Sequence, residues 1–174
     1  MKNNFYYIVI IIIGLVISLV AFIGIKFTEN IEAKYWLPRG LNIVEIAGFF
    51  MLLMNGSFIK TKYFRIAQGI VALILIGALI KILHWEFYGV SGNLILTISF
   101  LGIMATYFLS FLKKPIKKRL DYLKLAWVLT RYSIGTLIFL HMISREYDII
   151  PTILIWLAIL GYCIQEYKNK RLFE

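Results

Sequence analysis

Lysine, histidine and glutamate residues lie close together where one apolar stretch of the chain ends. Lys81 and His84 are three residues apart, so they share one face of a helix, and Glu86 follows His84 by two residues. Glu45 and His141 lie near the ends of two other apolar stretches. Ionisable side chains are costly in a membrane and mark functional sites there. If they meet in one outward-facing pocket, these five residues can bind a small polar ligand or relay protons.

A structural role is the alternative for the same residues. Lys81 can extend its ammonium along its own helix to reach water. A histidine or glutamate at the end of a membrane helix also serves as an interfacial anchor. The sequence leaves both interpretations open.

The sequence predicts no catalytic residue, no metal site and no cofactor. It has no zinc-binding H-x-x-x-H, no phosphate-binding glycine loop and no close carboxylate pair within an apolar stretch. Its one cysteine, Cys163, excludes an internal disulfide and a cysteine-based metal site. We interpret Gly89-Val90-Ser91-Gly92 as a turn rather than as a serine nucleophile, because paired glycines are typical of turns.

Composition assigns the chain to the integral membrane proteins. Of its 174 residues, 61% are hydrophobic, and the mean hydropathy is +0.82. Soluble domains contain roughly 45–50% apolar residues. The net charge of +10 comes from lysines and arginines that lie between the apolar stretches, which indicates membrane topology and anionic lipid headgroups rather than nucleic acid. We expect one membrane domain over residues 1–174.

Six apolar stretches predict an all-α protein with six transmembrane helices. They cover residues 5–25, 41–59, 66–85, 94–112, 125–143 and 152–167. The first is too long for the apolar region of a signal peptide, so we expect it to be retained. Ile-Gly pairs recur at similar places in the first, third and fifth stretches, at Gly14, Gly77 and Gly135. This repeat predicts three tandem α-hairpins.

The distribution of positive charge predicts the orientation. With the N-terminus inside, thirteen lysines and arginines fall on the inner side and five on the outer side. Positive charge is retained on the cytoplasmic side of membranes. We therefore expect a multi-pass protein of a bacterial cytoplasmic (inner) membrane with both termini in the cytoplasm.

Two connections contain more than a simple turn. Residues 26–40 mix apolar and charged side chains, and Tyr35 and Trp36 predict a short interfacial segment. Residues 113–124 would place Ile116, Leu120 and Leu123 on one helical face, with basic residues opposite. Those basic residues are Lys113, Lys114, Lys117, Lys118 and Arg119. This pattern predicts an amphipathic surface segment that contacts anionic lipid or an acidic partner.

Part of the chain resembles a known family. The segment 77–102 resembles the transmembrane hairpin of GldL, the cytoplasmic-membrane stator protein of the Bacteroidota gliding motor and type IX secretion system. The matching residues are Gly77-Ala78-Leu79, Lys81-Ile82, His84-Trp85-Glu86, Gly92, Ile95-Leu96-Thr97-Ile98-Ser99 and Gly102. The resemblance covers about a quarter of the chain, roughly residues 70–112 at its widest.

The resemblance implies a role in a membrane assembly. In the GldL family the hairpin forms a ring around a single helix of a partner, and proton flow is thought to drive rotation. Its lysine, histidine and loop acid correspond to Lys81, His84 and Glu86. The membrane glutamate of its second helix corresponds approximately to Ile103, and no Asp or Glu occurs between Asn93 and Lys113.

We therefore expect a non-enzymatic helix-packing component of an envelope complex. Its expected contacts are the lipid bilayer, anionic headgroups and a membrane-protein partner or further copies of itself, with no nucleic acid. The alternative is a small transporter or proton-conducting module that uses Glu45, Lys81, His84 and His141.

Overall fold

The computed structural model describes residues 4–28, 31–85 and 89–169, which form six α-helices and no β-strand. The helices are α1 (Asn4–Thr28), α2 (Ile31–Met54), α3 (Lys62–Ile82), α4 (Gly92–Leu112), α5 (Arg119–Phe139) and α6 (Ile149–Lys168). Short 3₁₀ helices precede α3 at Phe58–Lys60 and α6 at Arg145–Asp148. The prediction of an all-α protein is confirmed for the described residues.

Five of these helices are long and apolar enough to cross a membrane. They are α1, α2, α3, α4 and the segment Arg145–Lys168, which contains α6. Helix α5 is not among them, because charged residues reduce its hydropathy. The length and apolar composition of these helices confirm the assignment to the membrane proteins.

The start and the end of α2 differ from the prediction. The helix begins at Ile31 and runs through Pro38, so residues 31–40 are helical rather than a separate interfacial segment. Ala33 packs on α1, since a Cβ added at Gly24 would lie 3.1 Å from Ala33 Cβ. This contact extends the helix beyond its most apolar part. At the other end, α2 stops at Met54 instead of 59, where the sequence Asn55-Gly56-Ser57 favours a turn.

The prediction that residues 113–124 form one amphipathic surface segment was wrong. Residues 113–118 are an irregular connection, and Ile116 at its tip is 73% exposed. Pro115 explains the break, because proline lacks an amide proton and disfavours helical geometry at the preceding residue. Leu120 and Leu123 belong instead to the first turns of α5.

The chain divides into two compact units. Unit 1 contains residues 1–56 and 155–174, which include α1, α2 and most of α6. Unit 2 contains residues 57–154, which include α3, α4 and α5.

Close glycine contacts and small residues hold unit 1 together. Helices α1 and α2 are antiparallel, and a Cβ added at Gly14 would lie 2.9 Å from the Gly40 carbonyl oxygen. Helix α6 runs parallel to α2: Trp156 contacts Glu45, and three residues further along both helices Ile159 packs on Gly48. Within unit 1, the buried residues of α6 follow helical spacing, at Ile155, Ala158, Ile159, Tyr162 and Glu166.

Unit 2 is a row of three antiparallel helices with α4 in the middle. Gly77 of α3 faces Ile95 and Leu96 of α4, whereas Gly135 of α5 faces Phe100 of α4. Its apolar core contains Ala67 of α3, Ile103 of α4 and Val128 of α5. The third predicted hairpin is not confirmed, because α5 packs back onto α4 and most of α6 belongs to unit 1.

Candidate functional site

Lys81 links the ends of α3 and α5 in unit 2. Its Nζ lies 4.2 Å from the centroid of the Phe139 ring, in the geometry of a cation–π contact. Beside it, Gly92 allows α4 to approach closely, since a Cβ there would lie 2.6 Å from both the Gly77 carbonyl oxygen and the Lys81 amide nitrogen. The last turns of α3 and α5 and the first turn of α4 therefore meet around Lys81.

The two histidines occupy equivalent positions at two helix ends. His84 follows the C-cap of α3 with a φ of 52°, and His141 follows the C-cap of α5 with a φ of 56°. Both side chains are exposed. Two backbone hydrogen bonds close each end: His84 N to Lys81 O with Trp85 N to Ile80 O, and His141 N to Ile138 O with Met142 N to Leu137 O. This is the Schellman motif, in which the left-handed residue is usually glycine.

Glu45 lies in the middle of α2 rather than near its end. It is about 21 Å along the helix axis from Ile31, at 1.5 Å per residue. Its Oε1 accepts a hydrogen bond of 3.2 Å from Trp156 Nε1 of α6. The carboxylate is half-buried and its described partner is a neutral donor.

The structure brings part of the predicted group together within one unit. Lys81, His84 and His141 lie at neighbouring helix ends of unit 2, whereas Glu45 belongs to unit 1. Glu86 lies outside the described residues. The convergence of all five residues stays a prediction.

Ser91 has a structural role that fits the turn interpretation. It is the N-cap of α4, where its Oγ accepts a hydrogen bond of 3.3 Å from the Leu94 amide. The preceding Gly89 has a φ of 77°, which glycine adopts without strain.

An ion pair on α5 was not predicted from the sequence. Arg131 Nη1 lies 2.7 Å from Asp148 Oδ1, and both side chains are about half exposed. Asp148 follows the turn after α5, so the 3₁₀ helix Arg145–Asp148 folds back along α5 to reach Arg131.

A buried polar network in unit 1 was also missed. The side-chain oxygen of Asn4 accepts hydrogen bonds from Asn55 Nδ2, at 2.8 Å, and from the Tyr162 hydroxyl, at 2.9 Å. Asn4 is fully buried, and Glu166, one turn beyond Tyr162, is only 4% exposed. The network joins α1, the end of α2 and α6. Its residues are scattered along the sequence, and only the polar interruption at Asn55 hinted at it.

Two basic side chains in the connection after α4 form contacts within the protein. Lys114 Nζ pairs with Asp121 Oδ1 at 2.6 Å, and Lys117 Nζ donates to the Lys114 carbonyl oxygen at 3.1 Å. Asp121 also accepts from the Lys118 amide and so caps the start of α5. The exposed basic side chains are those of Lys113, Lys118 and Arg119.

No match to known proteins was found. This holds for comparisons with protein-family models, with curated proteins and with solved structures. Among residues 4–28, 31–85 and 89–169, no three His, Cys, Asp or Glu side chains are grouped so that they can hold a metal ion.

Proposed function

We propose that this chain is a non-enzymatic protein of a bacterial cytoplasmic membrane that binds another transmembrane helix through α3. The observation that carries this proposal is the face of α3 turned away from α4. Its residues are spaced by four and three positions and all are exposed: Arg65, Gly69, Ala72, Ile76, Leu79 and Leu83. This is the spacing of a helix–helix seam.

Small and polar residues make this α3 face suited to a helix rather than to lipid alone. A Cβ added at Gly69 would meet no atom within 4 Å, so a partner backbone can approach there. Small residues permit such approach in membranes, and a neighbouring amide can hydrogen-bond across the interface. Gln68 is exposed beside Gly69 and supplies that amide. The resemblance of α3–α4 to the GldL hairpin also supports the binding of a partner helix.

The test is purification from native membranes followed by measurement of complex size. We expect the wild-type chain to emerge in a complex, with a second copy or another membrane protein. Gly69→Leu should reduce it to a monomer, whereas Val71→Leu, on an adjacent exposed face, should not. A monomeric wild type would contradict the proposal, as would a Gly69→Leu complex of unchanged size.

We propose six membrane crossings, with both termini on the cytoplasmic side. Helices α2 and α6 are parallel, so they begin on the same side of a membrane. The antiparallel α3 and α4 return the chain to the side where α2 ends. Helix α5 must then cross for α6 to start on the side where α2 starts.

Anionic lipid headgroups are the proposed contact of the connection between α4 and α5. Lys113, Lys118 and Arg119 are exposed there, next to the exposed apolar side chain of Ile116. Each basic residue near an anionic surface contributes about 1 kcal/mol to binding.

Proton conduction is the second candidate function, and Glu45 is the observation that favours it. A carboxylate in the middle of a membrane helix with a neutral donor can exchange a proton. Glu45→Gln keeps an oxygen for Trp156 but cannot ionise. We expect this substitution to lower proton flux in proteoliposomes at least tenfold, and unchanged flux would contradict conduction through Glu45.

A further inference from the structure

Buried oxygens without a protein partner cluster in unit 2. Among the described residues, four buried side-chain oxygens have no hydrogen-bond partner: Asn93 Oδ1, Thr97 Oγ1, Ser99 Oγ and Thr136 Oγ1. Three lie in the first half of α4, and the fourth lies in the last turns of α5. A buried polar group that makes no hydrogen bond destabilises the fold.

Two of these oxygens belong to residues on the face of α4 that packs on α5. Asn93, Thr97, Phe100 and Met104 follow one another at spacings of four, three and four residues, which places them on one face of α4. Two members of this face contact α5 directly. Phe100 packs on Tyr132 and Phe139, and Met104 Sδ accepts a hydrogen bond of 3.3 Å from Ser133 Oγ.

The antiparallel register brings Thr136 within about one turn of Thr97. Phe100 lies opposite Gly135, and Met104 lies opposite Ser133, so Thr97 lies roughly 3–6 Å along the axis from Thr136, toward the His141 end. Thr136 is only 8% exposed. A hydroxyl from each helix is therefore buried within about one turn of the other in the α4–α5 interface.

The interface opens toward a polar helix end. Asn93 is the second residue of α4, about 6 Å along the axis from Thr97. At this end, the exposed His141 follows the C-cap of α5, and the Lys81 ammonium lies on the ring of Phe139. Polar groups thus extend from the exposed helix end to the buried hydroxyls.

We propose that the α4–α5 interface contains a hydrated pocket in which a short row of ordered waters connects Asn93, Thr97 and Thr136. Hydroxyls both donate and accept hydrogen bonds, and the Asn93 oxygen accepts, so each group provides a partner for the water beside it, and neighbouring waters provide the others. The water enters from the end of the helices beside His141 and Lys81. The pocket is independent of the helix-binding face of α3 and does not require a partner.

The first test compares isosteric substitutions by their melting temperatures. If Thr136 binds water, Thr136→Val removes a partner of that water and lowers the melting temperature, while Thr136→Ser keeps it near the wild-type value. Thr106→Val is the control, since Thr106 is 6% exposed and its hydroxyl already donates to the Gly102 carbonyl oxygen at 2.7 Å. A melting temperature of Thr136→Val equal to or above that of Thr106→Val would mean a dry, unpaired hydroxyl and would overturn the proposal.

The second test measures access of water at one depth of α4. Thr97→Cys and Ile98→Cys are made in a Cys163→Ser background and treated with 2-aminoethyl methanethiosulfonate, which reacts with the ionised thiol in water. Ile98 is the neighbouring residue, 60% exposed on the apolar outer face. We expect Thr97→Cys to react at least tenfold faster than Ile98→Cys. A smaller ratio would overturn the proposal, whatever the result of the partner-binding experiment.

Discussion

At the scale of single residues, the two helix-end histidines combine a structural cost with an exposed imidazole. A positive φ is unfavourable for residues with a Cβ, although histidine tolerates it better than most. His84 and His141 both adopt it, at φ values of 52° and 56°. Substitution by alanine would therefore mix loss of the imidazole with a change in backbone strain, whereas glycine keeps the turn.

We expect His84→Gly and His141→Gly each to stabilise the protein by about 0.5–1 kcal/mol, because glycine adopts the left-handed conformation without steric cost. His141→Val should instead destabilise it by at least about 1 kcal/mol, since a β-branched residue fits this conformation poorly. Thermal unfolding in nanodiscs measures both. A destabilised His141→Gly variant would show that the imidazole makes stabilising contacts and would refute the backbone argument.

The same glycine variants separate function from folding at the predicted site. If proton flux needs the imidazoles, it falls in His84→Gly and His141→Gly although both variants are more stable. The sequence identified these histidines but not their backbone conformation. The spacing of apolar residues carries no information about φ, and the Leu-His pair that ends both helices is too short to indicate it.

At the scale of helices, the sequence predicted the helix interiors better than their ends and partners. Hydropathy reports which residues avoid water, so it located α1, α3 and α4 closely. It missed the start of α2, where polar residues continue a helix held by Ala33 on Gly24. The predicted pairing of α5 with α6 is not confirmed, since Gly135 shares the Ile-Gly pattern of Gly77 and yet packs on the preceding helix. The choice of partner depends on both surfaces and is not encoded in one of them.

Close packing of α3 on α4 leads to a sharp contrast between two glycines. Gly92→Ala should cost about 1–3 kcal/mol of stability, since its Cβ would lie 2.6 Å from the backbone atoms Gly77 O and Lys81 N, which cannot rotate away. Gly69→Ala is the matched control on α3, where nothing lies within 4 Å. It should be neutral or stabilise by up to about 1 kcal/mol through helix propensity. Equal stabilities in denaturant titrations would mean that α3 and α4 are not closely packed.

The buried network of unit 1 predicts how α6 is held. Asn4→Ala would leave the Tyr162 hydroxyl and the Asn55 amide without their shared acceptor, at a cost of about 2–4 kcal/mol. Tyr162→Phe removes one donor and leaves the other bond intact, so it should cost about 1 kcal/mol. Unfolding measurements in which Tyr162→Phe costs as much as Asn4→Ala would contradict a role for Asn4 as the shared acceptor.

At the scale of the whole molecule, charge and packing direction bear on topology in different ways. The excess of lysine and arginine on one side of the apolar stretches predicts which side is cytoplasmic. If α2 and α6 both cross the membrane, their parallel arrangement requires an odd number of crossings between them. Both bear on α5, which is 21 residues long but less apolar than the other helices.

Helix α5 spans about 31 Å, which matches the roughly 30 Å thickness of a hydrocarbon core, so its length is sufficient for a crossing. Its charged residues lie at its start, apart from Arg131, which is paired with Asp148. Cysteines placed at Lys117, before α5, and at Arg145, after it, test the crossing in a Cys163→Ser background. In intact spheroplasts we expect an impermeant maleimide to label Arg145→Cys and to spare Lys117→Cys, as it spares the control Lys60→Cys on the proposed cytoplasmic side. Equal labelling at 117 and 145 would mean that α5 lies on one side of the membrane, that five helices cross it, and that the termini face opposite compartments.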